Sequence, residues 1–136
     1  MIRLLVTIFF STAGFAALSQ QKIGIASYYH SKFEGRKTAS GDIFSNKKMT
    51  AASNYYKLGE WVIVTNAVNG KSVLVQINDR MAKGNKRLID LSYEAARQLC
   101  FVDKSVCKVK IEITANTPED NNSPVEIVTD TTALKE

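Results

Sequence analysis

The triplet Asn78-Asp79-Arg80 closes the apolar run "VLVQI", so a carboxylate and a guanidinium stand where a buried strand should end. Three readings are open for Asp79: a turn residue, half of an ion pair with Arg80, or an acid/base group fixed by a rigid element. Proton transfer needs such a group within hydrogen-bond reach of the reacting atom, and a strand end supplies that fixity. Metal chemistry has little to draw on. The only cysteines are Cys100 and Cys107, and the one histidine, His30, is far from them in sequence. No metal or cofactor is expected. In an oxidising compartment the two cysteines read as a disulfide closing a small loop.

What must position these groups is bounded by a chain of 136 residues, enough for one domain and short extras. Arg3, the apolar run from Leu4 to Phe10 and the small residues of "STAGFAALSQQ" read as a secretory signal peptide over residues 1–19, cut after Ser19 or, as a weaker option, after Ala17. The run is short and interrupted for a membrane span, so stable membrane insertion is not expected. No cysteine near the cut suggests a lipid anchor. From Thr114 to Glu136 the chain has no aromatic residue, both prolines, and five acids against one lysine, the composition of a flexible acidic tail. Between these ends, residues 20–113 hold sixteen Lys/Arg and eight Asp/Glu. In an exported protein that excess suits an anionic polymer or envelope surface better than nucleic acid.

The positioning elements read as short strands with one helix. "KIGIASYYH" alternates through Ile23, Ile25 and Ser27. In "EWVIVTNAVNGKSVLVQIND" two β-branched runs flank Asn69-Gly70, the dipeptide of a type I′ hairpin. "KRLIDLS" gives a short strand through Leu88 and Ile89. "KVKIEI" alternates Val109, Ile111 and Ile113 inward against Lys108, Lys110 and Glu112. In "SYEAARQL" Ser92 is a natural N-cap, Glu94 complements the helix dipole, and Leu91, Ala95 and Leu99 form the inward stripe. Such a set points to a mainly β fold, a compact barrel.

The motifs "GIASYY" (24–29), "FEGRKTASGDIFS" (33–45), "MTAAS" (49–53), "LGEWVIVTN" (58–66), "NGKSVLVQINDR" (69–80) and "RLIDLSYEAARQL" (87–99), in that order, resemble the rare lipoprotein A (RlpA) family of bacterial cell-envelope proteins. The resemblance covers nearly all of residues 23–113. It implies a six-stranded double-psi β-barrel and lytic transglycosylation of peptidoglycan, on glycan strands poor in peptide. In that reaction the muramyl 6-hydroxyl attacks its own anomeric carbon and leaves a 1,6-anhydro ring. The nucleophile belongs to the substrate, so one carboxyl group can serve as acid and then base, where hydrolases use two.

By the same resemblance Asp79 matches the acid that related barrels carry at the end of this strand, and Asp42 is the second expected catalytic carboxylate, standing where family members have Glu. Thr38 matches a threonine near the groove. Ser45 and Ser53 stand where the family has Asp and His, and neither can hold a charge near neutral pH. Tyr29, Asn78 and Arg80 complete the expected sugar-binding set. Asp90, just before Ser92, is expected to cap the helix and fix the preceding loop. Phe33 and one tyrosine of each pair, Tyr28/Tyr29 and Tyr55/Tyr56, are expected in the core, and His30 on the solvated surface. A peptidoglycan-binding barrel that has lost the chemistry is the rival reading, favoured by the two serines. A basic protein binding another polyanion has only charge to support it.

Overall fold

The computed structural model describes residues 20–115, 117 and 118. The expected signal peptide and most of the expected acidic tail lie outside the described residues. Thr114, where that tail was to begin, still donates its N–H to the Trp61 carbonyl at 3.1 Å.

Among the described residues six strands close into a barrel. They are β1 (Gln21–Tyr28), β2 (Thr50–Ala52), β3 (Trp61–Asn66), β4 (Ser72–Asp79), β5 (Ile89–Leu91) and β6 (Cys107–Ile113). Around the barrel the order is β1-β5-β2-β4-β3-β6, closing on β1. β1–β5 and β2–β4 pair in parallel and the rest antiparallel. Closure leaves no edge with unpaired backbone groups, which suits strands as short as β2 and β5. The interior is aliphatic: Val62, Val64, Val75, Ile77, Val109 and Ile111 are fully buried. β3 and β6 show the period-2 alternation expected of strands with one dry face, although Ile113, at the end of β6, lies outside it.

The helix α1 (Tyr93–Gln98) follows β5 directly. The Ser92 hydroxyl accepts the Ala95 N–H at 3.3 Å, and Leu91, Ala95 and Leu99 are buried as their spacing predicts. Glu94 and Arg97 pair on the outer face at 2.6 Å.

Three expectations are corrected. In β1 the buried residue is Ala26, while Ile23 and Ile25 are 63% and 43% exposed. The hairpin of β3 and β4 exists, but residues 67–70 make a wider turn than type I′. Gly70 alone of the pair has positive φ, and Asn66 Oδ1 accepts the Val68 N–H at 2.8 Å, an Asx turn that sets the chain's direction before Asn69 is reached. The Cys100–Cys107 bridge is not made. Cys107 is buried at the start of β6, whereas Cys100, in a left-handed conformation after α1, turns its thiol to within 3.2 Å of Lys71 Nζ. Thiol titration of the unfolded protein, purified without reductant, is expected to find two free thiols.

Candidate functional site

Asp79 ends β4 beside a cavity of about 450 Å³, whose wall includes Tyr29, His30, Phe33, Arg87 and Asp90. Its carboxylate is held by three donors. Oδ1 accepts the N–H groups of Ala39 at 2.9 Å and Arg80 at 2.8 Å, and Oδ2 accepts the Tyr29 hydroxyl at 2.6 Å. Donors at hydrogen-bonding distance on both oxygens fix the carboxyl group in direction. The Asp79 carbonyl meanwhile accepts the Ser53 N–H at 3.1 Å, which ties the strand end to the segment after β2.

Tyr29 is fixed in turn by aromatic packing. Its ring lies 4.2 Å from that of buried Phe44, tilted, and 5.5 Å from that of Phe33, edge to face. Its backbone N–H donates to the Leu91 carbonyl at 2.9 Å, continuing the β1–β5 seam. Burial, and then the hydrogen bond to Asp79, push its phenol well above the ordinary range. Burial pushes the Tyr56 phenol up to about 12.

An unfolded tyrosine loses its proton near pH 10. The stability that Tyr29 and Tyr56 contribute is therefore complete below about pH 10 and lost as pH rises above it, because only the unfolded chain can then release these protons. In an ultraviolet titration, two of the five tyrosines are expected to ionise only together with alkaline unfolding.

Asp90 does not cap the helix, since Ser92 does that. It takes a two-pronged pair from Arg87, at 2.9 and 3.0 Å, on the wall of the Asp79 cavity. His30 also lines that cavity, exposed, with Nδ1 accepting the Lys32 N–H at 3.1 Å. Its exposure is as expected; what the sequence did not show is that the surface it lies on borders this cavity. Of the tyrosine pairs, Tyr56 packs in the core and Tyr28 against it, donating to the Val102 carbonyl at 2.6 Å. Tyr29 faces the cavity and Tyr55 is half exposed.

The remaining candidates do not converge on Asp79. Asp42 is exposed, and its Oδ2 accepts the Ser40 hydroxyl at 3.0 Å; it is not among the residues around the cavity. Thr38 is buried, its hydroxyl within 3.1 Å of the Asp42 carbonyl. Both shape the 37–43 loop, which delivers the Ala39 N–H to Asp79. Ser45 Oγ accepts the Lys47 N–H at 3.3 Å in a turn. Ser53 is fully buried, donating to the Leu88 carbonyl at 2.8 Å. Asn78 is buried, and among the described residues its Oδ1 has no hydrogen-bond partner. The Arg80 guanidinium turns away from Asp79 and donates to the carbonyls of Ser53 and Tyr56. It braces two loops rather than forming the ion pair that the sequence allowed.

Barrel closure in this strand order, with one carboxylate fixed at the mouth by two backbone amides and a phenol, defines a double-psi β-barrel with a carboxylate in its groove. A family model described as lytic transglycolase matches residues 21–111, and the chain belongs to that family. It is 46% identical over 100 residues to the endolytic peptidoglycan transglycosylase RlpA of Haemophilus influenzae, covering 74% of this chain and 35% of that protein. It is 47% identical over 90 residues to the protein of the same name from Pasteurella multocida, covering 66% and 31%. The chain thus spans about a third of the length of these relatives. Among solved structures, an expansin from Clavibacter michiganensis superposes with a TM-score of 0.58 at 22% identity, covering 72% of this chain and 52% of that one. A Streptomyces papain inhibitor superposes with a TM-score of 0.56 at 22% identity, covering 70% and 94%. These two likenesses concern the fold alone.

Proposed function

We propose that this barrel is an endolytic lytic transglycosylase that cuts MurNAc–GlcNAc bonds of peptidoglycan glycan strands and leaves 1,6-anhydro ends. The observation that carries the reading is Asp79, held at the groove by Tyr29 and two backbone N–H groups. The protonated carboxyl of Asp79 gives its proton to the glycosidic oxygen as the bond to the muramyl C1 breaks. The carboxylate left behind takes the proton of the C6 hydroxyl as that oxygen closes on C1. Asp79 ends as it began, and no water enters. The three donors around it stabilise the charge that exists between the two transfers. Peptidoglycan lies outside the cytoplasmic membrane, so this activity requires export, which the apolar leader read in residues 1–19 would provide.

A second reading, a glycan-binding barrel without chemistry, is favoured by Ser45 and Ser53, whose hydroxyls bond backbone groups of their own surroundings. Peptide-free glycan strands incubated with the pure protein decide between them. Mass spectrometry is expected to find 1,6-anhydro ends. Strands that sediment with the protein yet stay uncut would sustain only the second reading.

A further inference from the structure

Most polar side chains around the Asp79 cavity spend their hydrogen bonds inside the protein. The hydroxyls of Tyr28 and Tyr29 donate to the Val102 carbonyl and to Asp79. Arg80 donates to the Ser53 and Tyr56 carbonyls, and Arg87 to Asp90. Among the described residues, three side chains on that wall donate to no protein acceptor: His30, Lys32 and Asn85. Side-chain recognition of a glycan lying there falls chiefly to them. Lys32 is a flexible stem, its ammonium 5.3 Å from the Phe33 ring centre. Asn85 lies on the rim shared with a neighbouring cavity. His30 directly follows Tyr29, the residue whose hydroxyl holds Asp79.

The His30 ring is fixed as well as free. Its Nδ1 accepts the Lys32 N–H at 3.1 Å, capping the short helical turn Ser31–Phe33, and its carbonyl accepts the Phe33 N–H at 3.1 Å. A ring nitrogen that accepts a hydrogen bond carries no proton, so the proton of the ring stands on Nε2. The backbone thus sets the tautomer and leaves an N–H donor at the cavity, one residue from the phenol on Asp79. A donor whose direction is fixed before binding loses little freedom when it is used.

We infer that His30 is a substrate-binding residue whose Nε2–H donates to a neutral oxygen, the acetamido carbonyl or a hydroxyl, of the sugar over Asp79. The inference rests on the transglycosylase reading for its ligand. Such a bond holds substrate and transition state alike, so its loss appears in strand affinity and KM rather than in kcat.

Two conservative variants separate this role from capping. In His30→Asn the side-chain oxygen stands in place of Nδ1 and keeps the Lys32 N–H bond, but no donor reaches the position of Nε2. In His30→Gln the amide nitrogen reaches that position while the cap is given up. In fluorescence anisotropy with end-labelled peptide-free strands, His30→Asn is expected to bind about three- to tenfold more weakly than the wild type, the worth of one hydrogen bond. His30→Gln is expected to recover most of that affinity. Wild-type binding by His30→Asn, equal loss in both variants, or no strand binding by the wild type overturns the inference. Failure of the chemistry is seen separately: a difference in affinity between the two variants without any 1,6-anhydro product refutes the transglycosylase reading and leaves His30 a glycan-binding residue.

Discussion

Asp79→Asn is expected to lower the rate of 1,6-anhydro product formation by about 10²–10⁴-fold while glycan strands still bind, the range over which a positioned acid/base group acts. That loss corresponds to roughly 3–5 kcal/mol of barrier. The substitution separates chemistry from architecture. An asparagine Oδ1 can still accept the Ala39 and Arg80 N–H groups, and its amide can donate to the Tyr29 oxygen, so the loop and strand end keep their ties. What the amide cannot do is give and retake a proton. Tyr29→Phe, which removes one of three donors but leaves the carboxyl, is expected to cost a smaller factor, about tenfold, the worth of one hydrogen bond to a charged group. Both rates come from mass-spectrometric counting of anhydro ends against time. Full activity in Asp79→Asn would assign the acid/base role to another group, and Asp90, on the same cavity wall, is the group to vary next.

The barrel was legible because its signals are local. Val62, Ile63 and Val64 form a β-branched run, Val109 and Ile111 alternate with Lys108, Lys110 and Glu112, and Ser92 announces α1 by its own chemistry. β1 was legible as a strand but not as to its facing, since a period of two states only that two faces differ. Ala26 is in the core and Gly24 lies against Leu88 while Ile23 and Ile25 face outward, and the seam with β5 that sets this facing joins residues some sixty positions apart. Asn69-Gly70 marked the hairpin correctly, yet an asparagine three residues earlier captured the turn.

The site was legible in part, and its misses share one cause: a side chain's target cannot be read from its own neighbours in sequence. Asp79 and Tyr29 were both expected, through the resemblance, but their contact spans fifty residues. Arg80 adjoins Asp79 in the chain and yet reaches Ser53 and Tyr56. Asp90 looks like a cap beside Ser92 but is claimed by Arg87. The structure also changes the meaning of Ser53. Its fully buried hydroxyl holds the Leu88 carbonyl, so at this position the chain has a strut between β2 and the entry to β5.

That strut leads to the second large effect, at Gly24. An added Cβ there would lie 2.8 Å from the Leu88 Cβ and 3.0 Å from its Cδ2, closer than packed carbons approach. Cδ2 could swing aside, but the Cβ moves only with the backbone. That backbone is pinned on both sides: the Leu88 N–H donates to the Ile25 carbonyl at 2.8 Å, and its carbonyl accepts from Ser53. Gly24→Ala must therefore part the seam where β1 runs beside β5. Overpacking of this kind costs about 1–3 kcal/mol. The alanine also restricts the unfolded chain, which returns roughly 0.4–1 kcal/mol, so the clash wins. At about 4–8 °C per kcal/mol for a domain of this size, calorimetry of the variant is expected to show a Tm lower by roughly 5–15 °C. The seam carries Tyr28 opposite Leu91 and Ser27 opposite Asp90, and the next residue of β1's chain is Tyr29. A shift there moves the phenol relative to Asp79, so activity measured well below the new Tm should fall with it. An unchanged Tm would mean that β1 yields freely at Gly24, and the seam could then not be what holds Tyr29 against Asp79.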